Sequence, residues 1–222
     1  MDMYFTLFVC AVAAGIAIGG AAQASQITFE TASSTAGPQV SANDYRSVVN
    51  AAFAADSIPK STAVALYDNL SNQNVFGGSA WDIAFRSTIA FGVAPGQAGT
   101  WDLRAGVDFG NGGAVFLDGL ALGYKSNDMW WAGSYADASQ SFQFTSVAIG
   151  AGNHQLQLFG LEHCCDGPQQ AQFNINGTGF TTFGSNDGLT AAVPEPETYA
   201  LMLAGLAAIG ATTRRRRAGK AA

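Results

Sequence analysis

Two adjacent cysteines, Cys164 and Cys165, lie in the run Leu161-Glu162-His163-Cys164-Cys165-Asp166-Gly167-Pro168. Outside a reducing cytosol three states are open to them: a vicinal disulfide, separate bonds to partner chains, or two thiols. Neighbouring Cα atoms are only about 3.8 Å apart, below the usual disulfide span, so a vicinal bond demands a tight turn. Gly167-Pro168 supplies turn residues directly afterwards. Zinc suits His163, Cys164, Cys165 and Asp166 poorly, because consecutive residues of an extended chain point to opposite faces and zinc ligands are spaced to converge.

Trp130 and Trp131 form a second group, preceded by Asn127 and Asp128. Core and rim packing is the ordinary role of such a pair. In a strand, however, only one of two neighbours faces inward. The other is left exposed beside polar residues, a platform on which a sugar ring can stack. Asp108, Asn111 and Asp118, with Asp128, are hard oxygen ligands near expected turns and suit calcium. Turns favour Asp and Asn in any case. No other cofactor is expected.

Catalytic patterns are sparse. The chain has no Gly-x-Ser-x-Gly elbow, phosphate loop or His-Glu-x-x-His. His154 and Glu162 share a strand face, but eight residues at about 3.3 Å each hold them roughly 26 Å apart. A non-catalytic protein is therefore expected. A glycan-acting hydrolase built on two distant carboxylates is the remaining enzymatic alternative.

The elements that must position these residues read as strands. Trp81, Ile83, Phe85, Ile89, Phe91 and Val93 share one parity, the period of a long half-buried strand or a bent pair. Trp101 to Phe109 alternates likewise, and Gly110-Asn111-Gly112-Gly113 turns into Ala114 to Leu117. Asp118-Gly119 marks a further turn. Phe142 and Phe144 differ in parity from Val147 and Ile149, which predicts a bulge near Thr145. Strands are also expected at Ile27–Glu30, Ala63–Tyr67, around Leu156 and Leu158, and over 171–175. One helix is expected over Asp44–Ala55, capped by Asn43, with Val48, Ala51, Ala52 and Ala55 on its apolar face. Short strands without helical crossovers predict a mainly β fold, an antiparallel β-sandwich or jelly-roll-like barrel.

Between residues 25 and 192, thirteen acidic side chains face five basic ones, a balance of about −8. Such a charge repels nucleic acid, whose phosphates demand Lys and Arg. It suits an extracellular protein or a divalent cation.

The two ends set the compartment. Val193-Pro194-Glu195-Pro196-Glu197 is extended and accessible, because its prolines fix φ and remove two donors. An apolar segment over 198–213 follows, about 24 Å long as a helix and thus short for a bilayer. Arg214, Arg215, Arg216 and Arg217 close it, and four arginines resist translocation. This order resembles the PEP-CTERM protein-sorting signal of Gram-negative bacteria. The resemblance implies an inner-membrane anchor that is transient, processing by an exosortase-like enzyme, and delivery to the cell surface or extracellular matrix. At the other end, apolar Tyr4 to Ala22 leads into Ala22-Gln23-Ala24, a cleavage pattern that leaves Ser25 as the mature N-terminus.

The Cys-Cys-Asp-Gly block, with Gly152-Asn153-His154-Gln155-Leu156, is similar to a PEP-CTERM subgroup marked by Cys-Cys-x-Gly. Trp101 to Phe180 also resembles protective-antigen-type β-barrel modules through Asp118-Gly119, Met129-Trp130-Trp131 and Gly152-Asn153-His154. That second resemblance implies glycan binding, often through calcium. The expected organisation is a signal peptide over 1–24, a β-rich domain over 25–188, and a linker plus sorting signal over 189–222. Exopolysaccharide or a biofilm matrix is the expected partner. A purely structural extracellular protein is the alternative.

Overall fold

The computed structural model describes residues 25–192 and position 206. The expected signal peptide, the Pro-Glu-Pro motif, the apolar segment apart from position 206, and the arginine cluster lie outside these residues. Among the described residues no helix is long and apolar enough to cross a membrane.

Ten strands and two short helices make up the domain. In chain order they are β1 (Ser25–Ser33), α1 (Ala42–Ala55), β2 (Lys60–Val64), α2 (Asn72–Phe76), β3 (Trp81–Val93), β4 (Gly99–Gly106), β5 (Gly113–Leu117), β6 (Leu120–Lys125), β7 (Ser141–Ile149), β8 (Gly152–Cys164), β9 (Gln170–Ile175) and β10 (Thr181–Thr182). Six strands form one sheet in the order β2-β1-β3-β8-β5-β6, and four form another in the order β10-β9-β4-β7. Every ladder is antiparallel. The sheets share one core: Phe29, Phe85, Phe91, Val115 and Leu158 of the first meet Trp101, Leu103, Phe142 and Phe173 of the second.

This is a sandwich with open edges, so the barrel alternative is corrected: nothing joins β2 to β6 or β10 to β7. The turn at Gly110-Asn111 does not pair the strands that flank it. Instead the chain crosses from β4 in the small sheet to β5 in the large one.

α1 explains why the large sheet does not alternate cleanly. Its Ala42, Tyr45 and Val49 pack on Ala84, Ala114, Phe116, Phe159 and Leu161, so β3, β5 and β8 are buried on both faces. Fully burying a side chain of this size contributes about 1.5–3 kcal/mol. The helix face is rotated from the one expected: Ala51 and Ala55 are exposed, and Val48 and Ala52 only flank the contact. The cap is Ser41 rather than Asn43, since the Ser41 hydroxyl accepts from the Asp44 N–H.

The anticipated bulge is present. Trp101 faces Val147 but Leu103 faces Phe144, so Thr145 and Ser146 together oppose Asp102, and Ser146 takes φ 58°. The second strand lies earlier than expected, at Lys60–Val64; Tyr67 leaves it to enter the core, where its hydroxyl meets Ser87 and Gln169. The segment expected to be linker begins inside the fold. Leu189 is buried, and Thr190 exchanges both main-chain hydrogen bonds with Gly92 at the end of β3. Ser25, at the same end, pairs with Phe91, and its hydroxyl donates to Asp187.

Candidate functional site

The singled-out residues sit mainly where β3 begins and β8 ends. Trp81 pairs with Cys164 and Ile83 with Glu162, which brings both strand tips together. Cys164 and Cys165 are joined to each other here by a disulfide. His163 lies edge-on to Trp81, ring centroids 5.9 Å apart, and its Nδ1 lies 2.7 Å from Asp82 Oδ1. Asp82 takes φ 57°, a left-handed conformation that favours glycine and that Asp adopts at some expense in strain. Trp81, expected to face inward with Ile83 and Phe85, is instead 54 % exposed. It borders a cleft of about 350 Å³ whose walls include Thr31, Asp56, Lys60, Asn72 and Asp82.

Behind this tip three carboxyl groups are sealed from solvent: Asp108, Glu162 and Asp166. Burial first, and then the neighbouring Glu162, Asp128 and Asp166 charges, push the Asp108 carboxyl up to about 7. Burial raises Glu162 as well, against the Gly110 N–H that donates to it. Asp166 is raised by burial too, although the Gln73 N–H donates to Oδ2 at 2.6 Å. Glu162 Oε1 and Asp166 Oδ1 have no hydrogen-bond partner among the described residues. A lone oxygen of this kind is less costly on a protonated carboxyl than on a carboxylate. Gly167 allows the enclosure, since a Cβ there would overlap Asp108 Oδ2.

The expected calcium ligands are brought together only in part, because Asp118 is set apart from the others. Asp108 and Asn111 stand at this tip, whereas Asp118 lies beyond the far end of β5, about 17 Å along the strand. There Asp118 Oδ2 is 2.7 Å from His154 Nδ1, and Oδ1 accepts from the Gln155 N–H. The Asn111 amide donates to the Ala36 carbonyl. Among the described residues no three His, Cys, Asp or Glu side chains converge on a metal position.

The tryptophan pair lies in the loop between β6 and β7, not in a strand, and its members separate fully. Trp131 is buried at 4 % exposure, while Trp130 is 70 % exposed. Trp131 lies against Gly106, where an added Cβ would overlap the indole, and packs on Tyr135 at 5.5 Å. It is therefore the anchor of the loop rather than a glycan contact. Met129 exchanges hydrogen bonds with Phe109, the Asn127 amide donates to the Ser139 carbonyl, and the Trp130 N–H donates to the Gln140 side chain, pinning the loop around Trp130. Asp128 is exposed on the same stretch.

Sequence reasoning missed Trp81, the Asp82–His163 pair and the carboxyl cluster. A signal existed for Trp81: it follows Gly77-Gly78-Ser79-Ala80, so it opens its strand, where the alternation is least constrained. The cluster had no such signal, because Asp108, Glu162 and Asp166 meet only through the crossing of β4 into the large sheet.

The PEP-CTERM protein-sorting motif matches residues 192–217, which bears out the resemblance read from the tail and carries export and membrane-associated sorting with it. Comparison with curated proteins finds no match. Among solved structures the chain is similar to a PA14 sugar-binding domain from an RTX adhesin, at 15 % identity and TM-score 0.48, over 77 % of this chain and 99 % of that one. It is similar to the PA14 domain of the MpAFP antifreeze protein, at 12 % identity and TM-score 0.46, over 76 % and 91 %. It is also similar to the epithelial adhesin 9 A domain of Candida glabrata in complex with Galβ1-3GlcNAc, at 8 % identity and TM-score 0.47, over 77 % and 90 %.

Proposed function

We propose that the sandwich is a non-catalytic module that binds extracellular polysaccharide, exported by its signal peptide and processed at its C-terminal signal by an exosortase-like enzyme. The mature protein would then act at the cell surface or in a biofilm matrix. The observation that carries the reading is Trp130. Burying an indole withdraws roughly 150–250 Å², worth about 4–6 kcal/mol. Here the loop buries Trp131 and holds Trp130 out, between Asp128 and the polar residues that pin it. An exposed ring flanked by carboxylate and amide groups matches a pyranose, which has an apolar face and a polar rim. Trp81 and its cleft at the same tip offer a second ring.

The hydrolase alternative has less support. Asp108 is 5 % exposed and Glu162 1 %, so a glycosidic oxygen does not reach either in this conformation.

The test is retention of the protein on gels that contain a neutral polysaccharide. Trp130→Ala should abolish retention and leave the melting temperature unchanged. Equal retention of wild type and Trp130→Ala, or no retention of the wild type on any neutral polysaccharide, refutes the reading. Mass spectrometry of secreted material checks the sorting half: it should find termini at Ser25 and near Pro194–Pro196.

A further inference from the structure

The outer face of the small sheet carries a cation in an unusual setting. Arg104 projects from β4 with its guanidinium carbon 3.9 Å from the centroid of the Tyr135 ring and 3.6 Å from that of Phe180. Its Nε donates to Gln172 Oε1 at 2.7 Å. The two terminal nitrogens have no hydrogen-bond or ion-pair partner among the described residues. The other two arginines among the described residues differ: Arg86 grips both oxygens of Glu30, and Arg46 donates to the Gly119 carbonyl and to Asn43. In a domain this acidic, a guanidinium kept from every carboxylate yet clamped between two rings is preorganised for an anion from outside.

The surroundings specify the anion's carrier. Arg104 faces Gln143 of β7 on one side and Gln172 of β9 on the other, and Gln172 faces Thr182 of β10. Gln143, Arg104, Gln172 and Thr182 thus form a row across all four strands at about 4.8 Å intervals. Gln172 Nε2 donates to Thr182 Oγ1, which fixes the row's spacing. Phe180, 40 % exposed, stands beside the cation. The Gln143 Nε2 is spent on the Tyr135 carbonyl and Ser141, and Gln172 on Arg104 and Thr182, so the Gln143 carbonyl oxygen is the amide group left to accept from a ligand. A carboxylate for the fork, a hydroxyl for that oxygen and a ring face for Phe180 are together the chemistry of a uronic acid within a linear polymer.

We infer that this sheet face binds the uronate residues of an acidic polysaccharide, with Arg104 taking the carboxylate and Phe180 the sugar ring. This rests on the polysaccharide reading and deepens it at residues other than Trp130.

The experiment is calorimetric titration of the full-length protein in detergent with oligogalacturonate, a neutral glucan oligomer and a sulfated oligosaccharide of equal length. Oligogalacturonate should bind, and more weakly as salt rises. Arg104→Lys, which keeps the charge but loses the fork, should weaken binding at least ten-fold. Arg104→Gln and Phe180→Ala should weaken it further, while Trp130→Ala leaves it within two-fold. If Arg104→Gln does not fold, the lysine and Phe180 variants decide. The inference is overturned if oligogalacturonate does not bind, if Arg104→Lys binds it as wild type does, or if only the sulfated ligand binds. Loss of neutral-polysaccharide retention in Trp130→Ala alone, with oligogalacturonate binding intact, separates failure of this inference from failure of the Trp130 site.

Discussion

Asp108 should make the domain less stable as pH rises through neutrality, the reverse of a salt-bridged aspartate. Its carboxyl titrates near 7 in the fold against an ordinary 3.8. The native state therefore holds a proton between those values that the unfolded chain has released, and stability falls with rising pH across that interval. The contribution is complete below about pH 3.8 and gone above about pH 7. Three units at about 1.4 kcal/mol each amount to about 4 kcal/mol. With 5 % exposure, solvent screening removes little of it. Glu162 and Asp166, also raised by burial, act in the same direction. Asp56 and Asp137, lowered by hydrogen bonds at the surface, act oppositely and only in acid. Asp108→Asn keeps the shape without the charge. Urea denaturation followed by tryptophan fluorescence from pH 4 to pH 8 should show the wild type losing several kcal/mol and the variant losing clearly less, with the variant more stable at pH 8. Parallel profiles, or a wild type that gains stability from pH 4 to pH 7, would refute the reasoning.

Other substitutions probe the packing. Trp131→Ala removes the indole beneath the loop and should cost about 3–5 kcal/mol in denaturant titrations, whereas Trp130→Ala should stay within about 0.5 kcal/mol. Gly106→Ala drives a methyl into the same indole, with an expected loss of about 1–3 kcal/mol visible as a lower melting temperature. Tyr67→Phe strips the hydroxyl shared by Ser87 and Gln169, two buried groups, and should lower unfolding free energy by about 1–3 kcal/mol. Ser41→Ala removes the cap of α1 and should lower it by about 1 kcal/mol, detectable in the same titration.

Local chemistry made parts of this fold readable in advance. β3 follows from thirteen residues of alternation. The hairpin between β5 and β6 follows from Asp118-Gly119, which takes positive φ at both positions, and the bulge from a parity conflict between Phe144 and Val147. Each signal is contained within a few residues. What was not readable depends on partners far along the chain. The face of α1 is set by Phe116, Phe159 and Leu161 rather than by its own alanines, so its periodicity pointed about one position astray. Asp118 and Asp108 resemble each other in sequence, yet one ends on a histidine at an exposed hairpin and the other under a glycine in a carboxyl cluster. The tail was the reverse case: its meaning lies in the order of residue types, and the sorting match reproduces it over 192–217.

The bridge between Gly92 and Thr190 gives the molecule a direction. Thr190 sits at the last residues of β3, while Trp81 opens the same strand about 40 Å away. A copy fastened through its C-terminal end would point its indole-bearing pole outward, like a brush held by the handle. Traction on that end would load the middle of the six-stranded sheet first, through β3, and reach the loop of Trp130 last.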